Sequence, residues 1–433
     1  MGKLPHFLLI LSAFLRAFSL ANSQPYIGVN YGEYADNLPA PESTAHLLQS
    51  TTISKLRLYG ADPAIIKSLA GTNISLILGT TNGEIPSLAT DPSTAAAWIS
   101  SNVLPFLPAT SISTISVGNE VLTSGDSSLS SQLLPAMQNL KSAIPAGIKI
   151  STVHSMAVLS QSDPPSSGAF HSDLAPSLNS ILQFLHDNES PFMVNPYPYF
   201  AYQSDQRAET LAFCLFQPNS GRPDPASGVT YTNMFDAQVA AVRAALGAAG
   251  FAGTEVVVAE TGWPYNGDAG EAGATVDNAK AYNGNLVTHL KAMVDPVETY
   301  IFALYNEDLK PGPTSERSFG LFKTDLTPIY DAGLIKSEGG AGQVTTPSPA
   351  PAETGSGSVP GIALSAPPPA DVCVPGRGGS TCGQPVVQNL PTNPDESNGE
   401  VERRWRLWKD RRCMVGMWSD FFLYMALAVL VMR

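Results

Sequence analysis

Residues 256–264 read Val256-Val257-Val258-Ala259-Glu260-Thr261-Gly262-Trp263-Pro264, and this stretch decides the fold. Three valines and an alanine form a short apolar run without alternation, which suits a strand covered on both faces, as in a parallel sheet wrapped by helices. Gly262 and Pro264 then end it abruptly. Glu260 therefore stands at the C-terminal tip of a buried strand. The run Ile115-Ser116-Val117-Gly118-Asn119-Glu120 repeats the arrangement with a second carboxylate.

Working outward, similar runs recur between Tyr26 and about Tyr330. The strand expectations are Tyr26–Tyr31, Lys55–Tyr59, Ile74–Leu78, Thr114–Val117, Lys149–Val153, Phe192–Asn195, Val256–Ala259 and Thr299–Leu304. Helical patterns separate them at Asp62–Ala70, Pro92–Leu104, Ser131–Ala143, Asp173–Asp187, Phe235–Ala249 and Val276–Met293, several opened by Asp, Ser or Pro. An eightfold α/β alternation predicts a closed (β/α)8 TIM barrel over residues 24–335, with its working groups at the C-terminal ends of the strands. The two glutamates fall after strands four and seven. An open doubly wound sheet is the alternative, but no Gly-rich phosphate turn follows the first strand.

Of 433 residues, 43% are apolar and 14% charged, enough to bury a large core. The net charge of −13 argues against nucleic acid as partner. Neutral or cationic substrates fit it better, and a plain solubility role fits it equally. Residues 1–23 read as a secretory signal peptide. In that compartment Asn73-Ile74-Ser75 and Asn188-Glu189-Ser190 are glycosylation sequons, the second weakened by Pro191. Cys214 is alone in the main domain, so the core and not a disulfide holds it, and no His or Cys spacing matches a metal site. No metal or other cofactor is expected, and the protein is read as a monomer.

From about 336 to 402 the sequence turns rich in Gly, Ser, Thr and Pro, a disordered linker and tail in which Cys373 and Cys382 sit near each other. Residues 403–433 join a basic stretch to an apolar end shorter than a spanning helix, with Asp420 interrupting it. That fits a removable lipid-anchor signal with attachment near Ser397-Asn398-Gly399. The expected locations are the outer face of the plasma membrane or the cell wall, with the membrane met only through that anchor.

Paired carboxylates across a barrel mouth are what glycoside hydrolysis needs, one to protonate the leaving oxygen and one to attack or stabilise the anomeric carbon. Asn119 beside the acid suits a hydrogen bond to the sugar 2-hydroxyl. Tyr31, Tyr59, Tyr197, Tyr199 and Trp263 offer flat faces for pyranose rings, although any one of them reads equally well as core. Glu307, Lys310 and Glu316 follow strand eight, where a solvated loop is the plain reading and a lysine separating the two proton affinities the functional one.

The motifs then become specific. Residues 256–264 and Val117-Gly118-Asn119-Glu120 resemble the signatures of glycoside hydrolase family 17, the plant β-1,3-glucanases. The likeness extends through Ile27-Gly28-Val29-Asn30-Tyr31-Gly32, Leu58-Tyr59-Gly60-Ala61-Asp62, Asn195-Pro196-Tyr197-Pro198-Tyr199, Phe302–Glu307 and Ser318–Phe322. The resemblance implies a retaining endo-hydrolase of β-1,3-glucan (callose), with Glu120 as proton donor and Glu260 as nucleophile. Asn195, Tyr197, Glu307, Lys310 and Glu316 would form the substrate-binding and supporting set. Tyr265 departs from the family's small polar residue, and Asp371–Pro375 resembles only the opening of a glucan-binding module. The competing readings are a glucan-binding protein that does not cut, a β-1,3-glucan transglycosylase, and a hydrolase of mixed-linkage glucan.

Overall fold

The computed structural model describes residues 26–336. The signal, linker, tail cysteines and anchor segment expected from the sequence lie outside those residues. Eight parallel strands close into a barrel: β1 (Ile27–Tyr31), β2 (Lys55–Leu58), β3 (Ser75–Thr80), β4 (Ser111–Asn119), β5 (Lys149–Ser155), β6 (Phe192–Asn195), β7 (Val256–Thr261) and β8 (Thr299–Ile301). Each strand pairs with its sequence neighbours, and β1 pairs with β8 to complete the ring. The expected (β/α)8 barrel is therefore the fold.

The helices between strands are α1 (Pro41–Gln49), α2 (Pro63–Ser68), α3 (Ile85–Thr90), α4 (Pro92–Asn102), α5 (Ser127–Ala143), α6 (Ala175–Asp187), α7 (Pro198–Ser204), α8 (Ala208–Cys214), α9 (Met234–Ala248) and α10 (Val276–Ala292). Their starts follow local chemistry. Asp62 accepts from the amides of Ala64 and Ile65 ahead of α2, and Asp126 accepts from Leu129 N, which starts α5 four residues before the apolar pattern does. The sequence pattern missed α1, α3, α7 and α8. All four are short and carry Pro near the start or little amphipathic period. After β8 the described chain has a 3-10 turn at Thr314–Arg317 and no further helix.

Two-residue alternation separates the core into layers. Leu56, Leu58, Ile115, Val117, Val256 and Val258 face the helices, while Ile77, Val153, Met193, Val257, Ala259 and Tyr300 form a separate buried cluster inside the barrel. Below that cluster, at the N-terminal ends of the strands, Lys55 pairs with Glu298, and Tyr300 Oη donates to Glu298 at 2.8 Å. Leu334 and Lys336 are tied there too, with Thr52 N donating to Leu334 O and Lys336 N to Ser50 O. The opposite end is left for chemistry.

Candidate active site

Both glutamates are aimed by the same backbone device. Along β4, Ser116 to Asn119 advances three residues while its partner advances two, from Ser151 to Val153. Along β7, Val258 to Thr261 advances three while β8 advances two, from Thr299 to Ile301. Each strand thus carries one extra residue just before or at its carboxylate, and such bulges re-aim a side chain. In β7, Thr261 bonds outward to the Tyr282 hydroxyl. Glu260 is thereby free of the outward alternation and turns into the mouth.

Glu120 carries a second backbone signature, with φ 55° and ψ 30° in the left-handed region. That conformation costs about 1–3 kcal/mol in a non-glycine residue and persists only where the surroundings enforce it. Gly118 is left-handed as well, at φ 65°. Glu120 N donates to Val153 O at 2.8 Å, and Thr123 N returns to Glu120 O. Opposite it, Asn195 Nδ2 donates to Glu120 Oε1 at 2.8 Å, while Asn195 Oδ1 is buried without a partner among the described residues.

Arg57, on β2, joins the two strands that carry the glutamates. Only 1% of its side chain is exposed. Nη1 donates to Glu260 Oε1 at 2.9 Å and to Ala259 O at 3.1 Å, and Nη2 donates to Asn119 Oδ1 at 2.9 Å. The guanidinium lies 4.5 Å from the centre of the Tyr59 ring. Burying such a charge is tolerable because a carboxylate and two carbonyl-type acceptors receive it. Tyr197 Oη donates to Glu260 Oε2 at 2.9 Å, so both carboxylate oxygens are held. Burial first, and the Glu260 charge second, hold the Tyr59 phenol well above its ordinary value.

The loop after β8 supplies a polar cluster. Lys310 Nζ lies 3.4 Å from Glu307 and 3.6 Å from Glu316, and 4.3 Å above the Phe302 ring. Glu307 Oε1 accepts from Tyr34 N at 3.2 Å. The loop after β1 contributes Glu33, whose carboxyl is pushed up to about 7 by burial and then by the charges of Asp62 and Glu307.

The structure corrects two readings of the sequence. Trp263 is fully buried, its indole N–H donates to Gly273 O at 2.7 Å, and its rings pack against Tyr199, Tyr202 and Tyr282, so it is core and presents no face to a sugar. Tyr31 is also buried, its edge against Tyr305 at 5.7 Å. Lys310 pairs with Glu307 and Glu316, and a cation the sequence reading did not single out, Arg57, sits on Glu260. Pattern reading missed Arg57 because it looked like one polar position of an alternating strand. The one signal available was a cation at an inward position of a buried run.

The two sequons differ. Asn73 is exposed in the loop before β3. The Asn188 amide nitrogen is engaged with Phe184 O at 2.8 Å at the end of α6, and Ser190 is buried.

Residues 27–334 match the family described as glycosyl hydrolases family 17. The chain is 61% identical over 344 residues to glucan endo-1,3-beta-glucosidase 7 of Arabidopsis thaliana, covering 77% of this chain and 68% of that one. It is 53% identical over 358 residues to the glucan endo-1,3-beta-D-glucosidase of Olea europaea, covering 80% and 78%. Among solved structures it is similar to CJP38, a beta-1,3-glucanase and allergen of Cryptomeria japonica pollen, with 39% identity, a TM-score of 0.67, and coverage of 71% of this chain and 98% of that one.

Proposed function

The chain belongs to glycosyl hydrolases family 17 and is a glycosidase, and from that premise we propose a secreted, retaining endo-hydrolase of β-1,3-glucan in which Glu120 is the acid and Glu260 the nucleophile. The relatives' names support the substrate. The observation that carries the division of labour is the unequal seating of the two carboxylates. Glu260 receives a guanidinium and a phenol, contacts that favour the ionised form a nucleophile needs. Glu120 is engaged by the uncharged Asn195 amide and stands in a left-handed backbone at the end of β4, and it is the carboxyl assigned the proton.

In the first step, Glu260 attacks the anomeric carbon as Glu120 gives its proton to the departing glycosidic oxygen, leaving a glycosyl ester on Glu260. In the second, Glu120 takes a proton from water, which attacks the same carbon and releases Glu260. Asn119 Oδ1 is already committed to Arg57. Its Nδ2 is the end presented to the sugar 2-hydroxyl. The unpartnered Asn195 Oδ1 is a further acceptor for a polyhydroxylated ligand.

Product analysis on laminarin and on mixed-linkage glucan tests the reading. Oligosaccharides from laminarin, and a loss of at least about 1000-fold in Glu260→Gln, are expected. Products longer than the substrate would indicate transglycosylation, and binding without products a non-catalytic role. Normal cleavage by Glu260→Gln would reject the mechanism. The lipid anchor predicts release of the mature protein from membranes by a phosphatidylinositol-specific phospholipase, and unchanged retention would reject it.

A further inference from the structure

Asn82 lies in the short turn Asn82–Glu84 that follows β3 at the mouth. Its carboxamide grips the main chain of Asn119 from both sides: Oδ1 accepts from Asn119 N at 2.8 Å, and Nδ2 donates to Asn119 O at 3.1 Å. The side chain thus imitates one further rung just past the end of the β3–β4 ladder, whose last pair is Thr80 with Val117. Thr80 Oγ1 accepts from Gly118 N one residue earlier. Gly118 itself is packed so closely that a Cβ there would stand 2.7 Å from Asn82 Oδ1.

Asn82 is in turn immobilised from behind. Glu84 Oε2 accepts from Thr81 N at 2.7 Å and from Thr81 Oγ1 at 2.9 Å, a capping box closed across the turn. Glu84 Oε1 accepts from the indole N–H of Trp98 on α4 at 2.9 Å. A continuous chain of contacts therefore runs from an outer helix, through Glu84 and Asn82, to the residue before Glu120.

We propose that Asn82 is a positioning residue for proton donation, its carboxamide holding the Asn119 main chain so that the left-handed backbone of Glu120 delivers the acid to the leaving oxygen. The proposal rests on the reading of Glu120 as proton donor. A left-handed glutamate needs restraint on both flanks. Val153 O supplies it on one side and Asn82 on the other. Without Asn82 the segment relaxes toward an ordinary backbone, and Glu120 moves. Asn119's side chain stays on Arg57, and Glu260 stays on Arg57 and Tyr197. The loss therefore falls on acid catalysis and spares nucleophilic attack.

The test compares kcat/KM, which reports steps up to bond cleavage, on laminarin and on a 2,4-dinitrophenyl β-glycoside of laminaribiose, whose leaving group needs no proton. Asn82→Ala is expected to lose about 100-fold on laminarin, the scale of an ångström misplacement. On the aryl glycoside the loss is expected to stay within about threefold. Trp98→Phe, remote from the mouth, should show the same split, with about tenfold lost on laminarin and no measurable loss on the aryl glycoside, and stands in if Asn82→Ala does not fold. Equal losses on both substrates, or none on either, would overturn the role of Asn82. Glu120→Ala is the separate control: wild-type activity with no leaving-group split in Glu120→Ala would overturn the acid assignment instead.

Discussion

Replacing Arg57 with Met removes a guanidinium of similar length that is 1% exposed and leaves Glu260, 7% exposed, without its cation. Removing one partner of a buried pair costs about 3–5 kcal/mol, because the remaining charge is left desolvated. Three hydrogen bonds go with it, to Glu260, Ala259 and Asn119. A barrel of roughly 300 residues has an unfolding entropy of ~0.6 kcal/mol/K, so the midpoint should fall by ~5–8 °C. The assay is a double-mutant cycle with Glu260→Gln, read by urea denaturation and calorimetry. If the penalty is the stranded carboxylate, Arg57→Met/Glu260→Gln recovers at least about half of what Arg57→Met loses. Additive losses, or a loss below ~1 kcal/mol in the single variant, would refute the claim that Arg57 and Glu260 act as one buried unit.

Three further expectations follow from the same structure. His154 is 1% exposed, neither ring nitrogen has a hydrogen-bond partner among the described residues, and it stacks at 4.7 Å on Phe192, so burial pushes its pKa down to about 4. Because that lies below the unfolded value of about 6.5, the stability is whole above about pH 6.5 and is lost as pH falls toward 4, by ~3 kcal/mol; His154→Leu should flatten urea midpoints over that window, and an unchanged slope would count against it. Glu33, raised to about 7 by burial and then by Asp62 and Glu307, shows the opposite sign: its proton-linked stability is present below about pH 4.5 and lost as pH rises through 7. Glu33→Gln should therefore gain on wild type in thermal midpoint between pH 5 and 8, and a constant difference would reject the raised Glu33 carboxyl. Peptide mass spectrometry of protein expressed through a eukaryotic secretory pathway should find a glycan on the exposed Asn73 and none on Asn188, whose nitrogen caps α6; the reverse occupancy would contradict this.

Much of the barrel was legible because parallel strands buried on both faces write themselves as apolar runs, as in 192–195 and 256–259. The ends were not. Strand β4 runs from Ser111 to Asn119, well beyond the apolar Thr114–Val117, because Ser111 and Ile112 pair with Ser75 and Leu76 of β3 and Ser113 Oγ donates to Leu76 O, contacts that composition does not reveal. The two glutamates were visible from their place after a run, but the bulges that aim them were not, since an extra residue leaves no mark in a pattern without alternation. Aromatic type alone misled at Trp263 and Tyr31: flat faces suit both sugars and cores, and only coordinates show which they meet. Arg57 and Asn82 escaped for a related reason, as their partners lie on other strands, 203 and 37 residues away.

The central claim is that Glu260 forms the covalent bond to sugar while Glu120 handles the proton. Incubation with a 2-deoxy-2-fluoro laminaribiosyl fluoride, followed by proteolysis and peptide sequencing, tests it most directly, because the fluorine slows release of the ester. A single sugar adduct on Glu260, with substrate turnover giving the β-anomer first, is the result expected. An adduct on Glu307 or Glu316, or an α-anomer formed first with no adduct at all, would contradict it.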